Sequence, residues 1–328
     1  MQLRNVIASR RWLFCVVIVV LGLSTFTPVG EAQKAAAKPS DKQLVWVDTD
    51  IGDDIDDAFA LGLVVRSPEL KLLGVSTAFG DTEARARIVD RYFAEIGVSG
   101  VPVTAGVHTQ TDNKMTQRDY ADPVKPHPHA DGVAAMLDAI RAHPGQVTLV
   151  AIGPLFNVGA AIDRDLETFR KVKRVVIMGG SVYRGYGGEK AAPAPEWNIL
   201  CDPKGAQKLF TSGVPLYLMP LDSTQIHLGA GARDALFAKS EKLGEQLKAL
   251  YTLWAGDQKG PSPTPTLFDP VAVTYTFRPD LCPAKPLHID VDAKGMTIPG
   301  KGKANAQICL KSDEKGFLDL LTVRLESK

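Results

Sequence analysis

The sequence predicts an α/β fold: a mainly parallel, doubly wound (Rossmann-like) sheet flanked by helices, in a single domain. Three observations point there. Short apolar runs ending in polar residues alternate with amphipathic stretches along most of the chain, the pattern of strand–helix–strand units. The 328 residues, 45% of them hydrophobic, can bury a full core. No linker-like stretch divides the chain after residue 41.

Taken in order, residues 44–47 (Leu-Val-Trp-Val) read as a buried strand that runs into Asp48. Residues 58–65 are apolar and follow an acidic cluster, which suits a helix N-terminus; Pro68 ends the stretch. A second strand is expected over 72–77, then an amphipathic helix over 82–96 closed by Gly97, then a third strand from Val101. The polar segment 107–130 carries Pro123, Pro126 and Pro128 and is too long for an ordinary connection; such loops often serve function. A helix over 132–142, a strand over 147–152 and a helix opened by Gly153-Pro154 follow. A strand over 173–178 runs into Gly179-Gly180 and a glycine-rich loop to Pro195. A helix over 203–212, a strand over 214–219 and one long helix over 231–255 come next. A proline-rich loop at 260–265 precedes Asp269, and residues 285–328 read as strands and a last helix. In such sheets, sites form beyond the carboxyl ends of strands. Asp48, Asp50, Asp81, Ile152, the loop after Met178 and Asp222 all fall there.

Charge is balanced, 38 basic against 37 acidic residues, and no basic run would track phosphates, so nucleic acid is not an expected partner. Residues 1–32 have the layout of a signal peptide: Arg4, Arg10 and Arg11, an apolar run from Trp12 to Leu23, and small residues ending near Ala32. The run is short for a membrane span, so no stable membrane association is expected after cleavage. Residues 33–42 read as a flexible leader, residues 43–328 as the domain, and the destination as the periplasm or the medium. Export leaves Cys201, Cys282 and Cys309; the last two could pair, and Cys201 reads as a buried, inert thiol.

The most informative stretch is residues 48–57, Asp-Thr-Asp-Ile-Gly-Asp-Asp-Ile-Asp-Asp, with six carboxylates in ten residues. They repel one another on folding unless a cation or a helix N-terminus compensates. Hard oxygen donors select Ca2+ or Mg2+. A solvated acidic loop is disfavoured by the apolar flanks. A calcium loop of the helix–loop–helix type fails, because Gly52 is fifth and Phe59 twelfth from the first Asp, where glycine sixth and glutamate twelfth are required. An aspartate nucleophile for phosphoryl transfer at Asp48 or Asp50 stays open.

Residues 47–52 with Asp56-Asp57-Ala58-Phe59-Ala60-Leu61 resemble the N-terminal fingerprint of the inosine-uridine nucleoside hydrolases, Asp-x-Asp-Pro-Gly-x-Asp-Asp-Ala-x-Ala-Leu. Further pieces agree in order: residues 75–81, 101–106 and 152–157, then Met178-Gly179-Gly180 with Glu196-Trp197-Asn198 and Asp202-Pro203, and Asp269-Pro270-Val271-Ala272. The likeness spans about residues 43–280. It implies hydrolysis of the N-glycosidic bond of a ribonucleoside or related riboside. It implies Ca2+ held by Asp50, Asp57, the carbonyl of Ile152 and Asp269, with Asp50 also the base for the attacking water. It implies ribose hydroxyls held by Asp56 and Asn198, with Glu196 further out. Members are commonly oligomers, so a homo-oligomer is open.

This chain departs from the family in several places. Five residues separate Asp50 from Asp56, so Asp54 competes with Asp57 as a metal ligand. Asp81 replaces a turn Asn and adds a carboxylate expected near the substrate. Lys190 stands where a sugar-binding Asn is frequent. Phe268 stands where many members carry a His that is a candidate acid for the departing base. His127, His129 and His227 are the alternatives, His129 first because residues 129–132 resemble a family His-Gly segment. Trp197, Tyr183 and Tyr186 could stack on a base. A binding protein that kept the fold and lost turnover is the rival reading.

Overall fold

The computed structural model describes residues 42–327. The expected signal peptide, most of the leader and Cys15 lie outside the described residues. The chain runs β1 (Gln43–Thr49), α1 (Asp56–Arg66), β2 (Leu70–Thr77), α2 (Thr82–Glu95), β3 (Val103–Ala105), β4 (Ala130–Asp131), α3 (Gly132–Ala142), β5 (Val147–Ala151), α4 (Phe156–Phe169) and β6 (Arg174–Met178). It continues through α5 (Trp197–Cys201), α6 (Pro203–Thr211), β7 (Leu216–Met219), α7 (Leu221–Thr224), α8 (Ala230–Lys239), α9 (Glu241–Asp257) and α10 (Phe268–Phe277). It ends with β8 (Ala284–Leu287), β9 (Ile289–Val291), β10 (Thr297–Pro299), β11 (Ala306–Cys309) and α11 (Glu314–Glu326).

Among the described residues, nine strands form one sheet in the order β4-β3-β2-β1-β5-β6-β7-β11-β8. Every pairing is parallel except β11 with β8. The expected doubly wound architecture is present. Its order reverses between β1 and β5, where Asp48 stands in register with Ala151. That switch point opens a crevice beyond the strand ends. Side-chain alternation along β1 feeds the two faces of the sheet: Val45 and Val47 enter the core that holds Phe59, Leu61 and Val271, while Trp46 enters the other with Met136, Leu149 and Phe169.

Two expected elements differ. The third strand begins at Val103 rather than Val101. The long helix expected over 231–255 is two helices, α8 and α9, that meet at Ser240. Glu241 takes a left-handed backbone with φ of 45°. Gly244 then packs so closely on Phe237 that an added Cβ would lie 2.4 Å from its carbonyl oxygen. The apolar periodicity carries across this break because both helices face the same core.

One buried cation braces the turn after β1. Arg85 lies on the apolar stripe of α2 with Ile88, Val89 and Tyr92, and its side chain is only 2% exposed. Its guanidinium donates to the carbonyls of Phe79 (2.7 Å), Asp50 and Ile51 (3.0 Å), and pairs with Asp53 at 2.8 Å. A planar five-donor group suits this many acceptors, and an ammonium does not. At the far edge of the site-bearing sheet, Cys282 and Cys309 form a disulfide that closes β8 to β11 onto the body of the fold.

Two stability predictions follow from these ties. Arg85→Met should lower unfolding free energy by about 3–5 kcal/mol, the cost of stranding a buried partner set. Arg85→Lys should recover little of it, read from urea denaturation. Replacing both Cys282 and Cys309 with Ser should cost about 3–4 kcal/mol for a loop of this length. A melting curve unmoved by reductant in the parent chain would contradict that.

Candidate active site

The crevice at the switch point is a cavity of about 430 Å³. Its floor is carboxylate. Asp50 follows β1, Asp56 and Asp57 form the first turn of α1, and Asp269 lies in the first turn of α10. All four are buried. One oxygen each from Asp56, Asp57 and Asp269 lies within 4.8 Å of the others.

Local chemistry holds these groups in place. Gly52 takes a φ of 124°, which turns the chain sharply between Asp50 and α1. Gly153 lets the end of β5 approach Asp50; a Cβ there would lie 2.9 Å from Asp50 Oδ1. Thr49 Oγ1 donates to Asp57 Oδ1, and the backbone N–H of Asp269 donates to Asp56 Oδ2 at 3.1 Å. Two helix N-termini, of α1 and α10, bring their positive dipole ends to the cluster. That does not suffice. Burial pushes the carboxyl pKa of Asp50, Asp56, Asp57 and Asp269 well above the ordinary value, and their mutual repulsion adds to it. Asp50 is raised further by Asp57, and Asp269 by Asp56 and Asp57.

The wall beside β5 and β6 is built by α5. Glu196 caps that helix: its carboxylate accepts the N–H of Asn198 (3.0 Å), Ile199 (3.2 Å) and Gly180 (2.8 Å). Burial nevertheless raises its pKa to about 7. Asn198 Nδ2 donates to the carbonyls of Ile152 and Met178, each at 3.1 Å, so one amide ties the ends of β5 and β6 together. Behind the floor, Asp48 accepts from Ser76 and from Asn157 (2.7 Å), and burial lifts its pKa to about 6. Asp222 accepts the N–H of Val182 (2.9 Å) and Tyr183 (2.8 Å), which fixes the loop after β6.

The outer part of the cavity is aromatic. Tyr186, Trp197, Trp254 and Phe268 line it, with Asn113, Lys114 and Thr116 from the 107–129 loop and Asp257 from the end of α9. Tyr186 meets Phe268 edge to face at 6.3 Å, and its hydroxyl accepts the Trp197 N–H at 3.1 Å.

The structure thus brings together Asp50, Asp56, Asp57, Ile152, Glu196, Trp197, Asn198 and Asp269. Two expected site residues lie elsewhere. Asp81 does not line the cavity: its carboxylate caps α2 through the N–H of Ala84 and pairs with Arg118 at 3.0 Å. His129 is clamped between Glu83 (2.6 Å) and Asp90 (2.9 Å) on the outer side of α2. Of the other candidate acids, His127 sits beside it and His227 bridges to Thr266. Lys190 is exposed and is not among the lining residues. Tyr183 is exposed outside the cavity, and free Cys201 is half-buried with its thiol pushed up to about 12 by burial. Between the competing aspartates, Asp57 joins the convergent trio, while Asp54 lies at the rim and accepts the N–H of Ile55 at 2.7 Å. The sequence reading missed Arg85, although an arginine on the apolar stripe of α2 signals a buried charge. It also missed Trp254 and the contribution of Asn113, Lys114 and Thr116, which lie on the loop whose length had marked it.

Known proteins show the same plan. The sequence model for inosine-uridine preferring nucleoside hydrolases matches residues 45–319, beyond the 43–280 span expected from motifs alone. The non-specific ribonucleoside hydrolase RihC of Escherichia coli is 30% identical over 300 residues, covering 83% of this chain and 95% of that one. The pyrimidine-specific ribonucleoside hydrolase RihA of Citrobacter koseri is 29% identical over 309 residues, covering 86% and 97%. Among solved structures, a purine-preferring ribonucleoside hydrolase from Gardnerella vaginalis superposes with a TM-score of 0.73 at 22% identity, covering 87% of this chain and 98% of that one. The plant nucleoside hydrolase PpNRh1 superposes with a TM-score of 0.72 at 23% identity, covering 88% and 100%. With its motifs in order, its carboxylates gathered at the switch point and this match over most of its length, the chain belongs to the inosine-uridine preferring nucleoside hydrolase family.

Proposed function

We propose that this protein hydrolyses the N-glycosidic bond of a ribonucleoside, releasing base and ribose, with one Ca2+ bound at the carboxylate floor. The observation that carries this reading is the buried quartet Asp50, Asp56, Asp57 and Asp269, whose repulsion is only partly offset: Arg85 pairs with Asp53 and the backbone carbonyls beneath and attracts Asp50 and Asp57, yet all four carboxyl pKa values stay raised. An all-oxygen donor set fits a hard divalent ion. Asp50, Asp57, Asp269 and the Ile152 carbonyl would hold it. When bound, such an ion lowers the pKa of water and polarises sugar hydroxyls.

Asp50 takes the proton of the attacking water, a role suited to a base set at the pocket floor. Asp56 and Asn198 hold ribose hydroxyls at the same floor. The surrounding carboxylates stabilise the positive charge that builds on the sugar as the bond to the base stretches. Glu196, with both oxygens engaged by backbone N–H groups, acts on the sugar mainly by fixing α5 and so Asn198. Tyr186, Trp197, Trp254 and Phe268 give the base apolar faces to stack against. No histidine is among the lining residues. We assign the Tyr186 hydroxyl, which accepts the backbone N–H of Trp197, to donate a hydrogen bond to the departing base as a neutral phenol, since burial pushes its pKa up. Relatives named for pyrimidine-specific, non-specific and purine-preferring activities share this fold, so the base preferred here is left to measurement. Export to an oxidising compartment is part of the proposal, supported by the Cys282–Cys309 disulfide.

The lack of a lining histidine also favours the rival reading, a nucleoside-binding protein without turnover. A panel of purine and pyrimidine nucleosides decides between them: ribose release that stops on chelation supports the enzyme, and binding without release sinks it. Asp50→Asn should lower kcat by about 10²–10⁴-fold with substrate still bound. Asp269→Ala should abolish the calcium isotherm in calorimetry.

The floor also makes stability depend on pH. Its carboxyl groups have raised folded-state pKa values, so the metal-free fold binds more protons than the unfolded chain, and stability falls as pH rises above the ordinary carboxylate range. In chelator, the melting temperature should drop as pH rises from the ordinary carboxylate range through the raised folded-state pKa values; saturating Ca2+ should remove most of that drop.

A further inference from the structure

Three side chains on the outer side of α2 converge in a way the hydrolysis does not use. Asp90 lies on α2, and His127 and His129 lie on the segment that enters β4. One Asp90 oxygen is 2.9 Å from Nε2 of His129 and 3.3 Å from Nε2 of His127. One ligand atom from each of the three lies within 4.8 Å of the others.

The second nitrogen of each ring fixes its orientation. Nδ1 of His129 faces Glu83 Oε2 at 2.6 Å, and Nδ1 of His127 faces the Lys125 carbonyl at 3.2 Å. A carboxylate and a carbonyl only accept, so each Nδ1 carries its proton. Both Nε2 atoms therefore point their replaceable position at Asp90. A carboxylate or carbonyl behind a histidine, with the other nitrogen directed at a shared point, is how proteins orient metal-binding imidazoles. Tetrahedral zinc with bonds of about 2.0–2.1 Å spaces its ligand atoms about 3.3–3.4 Å apart. The two measured separations lie within about 0.5 Å of that. The His129 side chain is 3% exposed and that of His127 50%, so the cluster is closed on one side and open to solvent on the other. That opening supplies an entry path and room for water as a fourth ligand.

We propose that Asp90, His127 and His129 bind one zinc-like divalent ion, with Glu83 orienting His129. Two imidazoles and one carboxylate favour such an ion over Ca2+, whereas the all-oxygen floor of the sugar pocket favours the reverse. One chain thus carries two sites of different hardness. The ion takes the point shared by both Nε2 atoms and Asp90, and the Nε2 proton that His129 otherwise directs at Asp90 leaves to solvent. It would clip the end of the 107–129 loop to α2, the helix that also carries Arg85.

Calorimetry of the full exported chain with zinc, in saturating calcium so that the acidic floor is occupied, tests this. One equivalent of zinc should bind, with heat that depends on buffer ionisation. His127→Ala, at a half-exposed position, should abolish binding while leaving the zinc-free melting temperature unchanged. Glu83→Ala should weaken binding about 10–100-fold. Co2+ in place of zinc should give the visible absorption of a four-coordinate site. No zinc uptake, or uptake equally tight in His127→Ala and Asp90→Ala, would overturn the proposal.

Discussion

Four carboxylates that cannot all be ionised together in a buried crevice are the constraint on which this molecule is arranged. Asp50, Asp56, Asp57 and Asp269 come from three elements, and each arrives with its charge opposed by the others. Helix dipoles offset only part of this, because their effect is confined to the first turn. A folded state with such a floor needs protons or a cation there. Stability, metal binding and chemistry are therefore one thermodynamic problem in this chain, and a substitution at the floor perturbs all three.

The scaffold keeps the floor in shape with amides and one guanidinium placed a layer behind it. Asn157 joins Asp48 on β1 to the Thr77 carbonyl at the end of β2. Asn198 joins the ends of β5 and β6. Arg85 gathers the carbonyls of the turn that connects β1 to α1. Asn157 and Asn198 thus span the neighbouring strand ends on either side of the switch point, and Arg85 spans the turns after β1 and β2, where the sheet supplies no further ladder bonds. A buried carbonyl without a donor costs about as much as a lost hydrogen bond, so these side chains complete the backbone at the one place where secondary structure stops.

Much of the fold was legible because parallel α/β units write themselves as alternating apolar runs and amphipathic helices. The doubly wound order, the helix over 132–142 and the strand ends at Asp48, Ile152 and Met178 were all readable that way. The register of the acidic cluster was legible only in part: Ala58-Phe59-Ala60-Leu61 in frame with the family motif favoured Asp56-Asp57, which the fold puts in the first turn of α1, but the competition of Asp54 with Asp57 needed the geometry. What failed was inference from nearness in sequence to nearness in space. Asp81 follows a strand end, yet its side chain turns back to cap α2. His129 lies close to β4, yet two carboxylates on the far side of α2 hold it. The break between α8 and α9 was invisible because a left-handed glutamate leaves no mark in hydrophobic periodicity.

The two ends of the cavity differ in how they are built, and this bears on what can vary. The carboxylate end, where the proposal seats the sugar, is made from strand termini and first helical turns, positions that shift only if the sheet does. The base end is made from side chains on long connections: Tyr186 on the glycine-rich loop after β6, Asn113 and Lys114 on the 107–129 loop, and Trp254 with Asp257 near the end of α9. Lys114 reaches across to Asp257, so two of these connections meet over the mouth. Such segments tolerate substitution and insertion that a strand end does not. On the proposed assignment, recognition of ribose is tied to the fold, while recognition of the base rests on parts free to diverge. Phe268 stands at the boundary: its backbone opens α10 and must keep Asp269 in place, but its ring faces the aromatic wall, so an acid could be replaced there by a stacking surface without disturbing the floor.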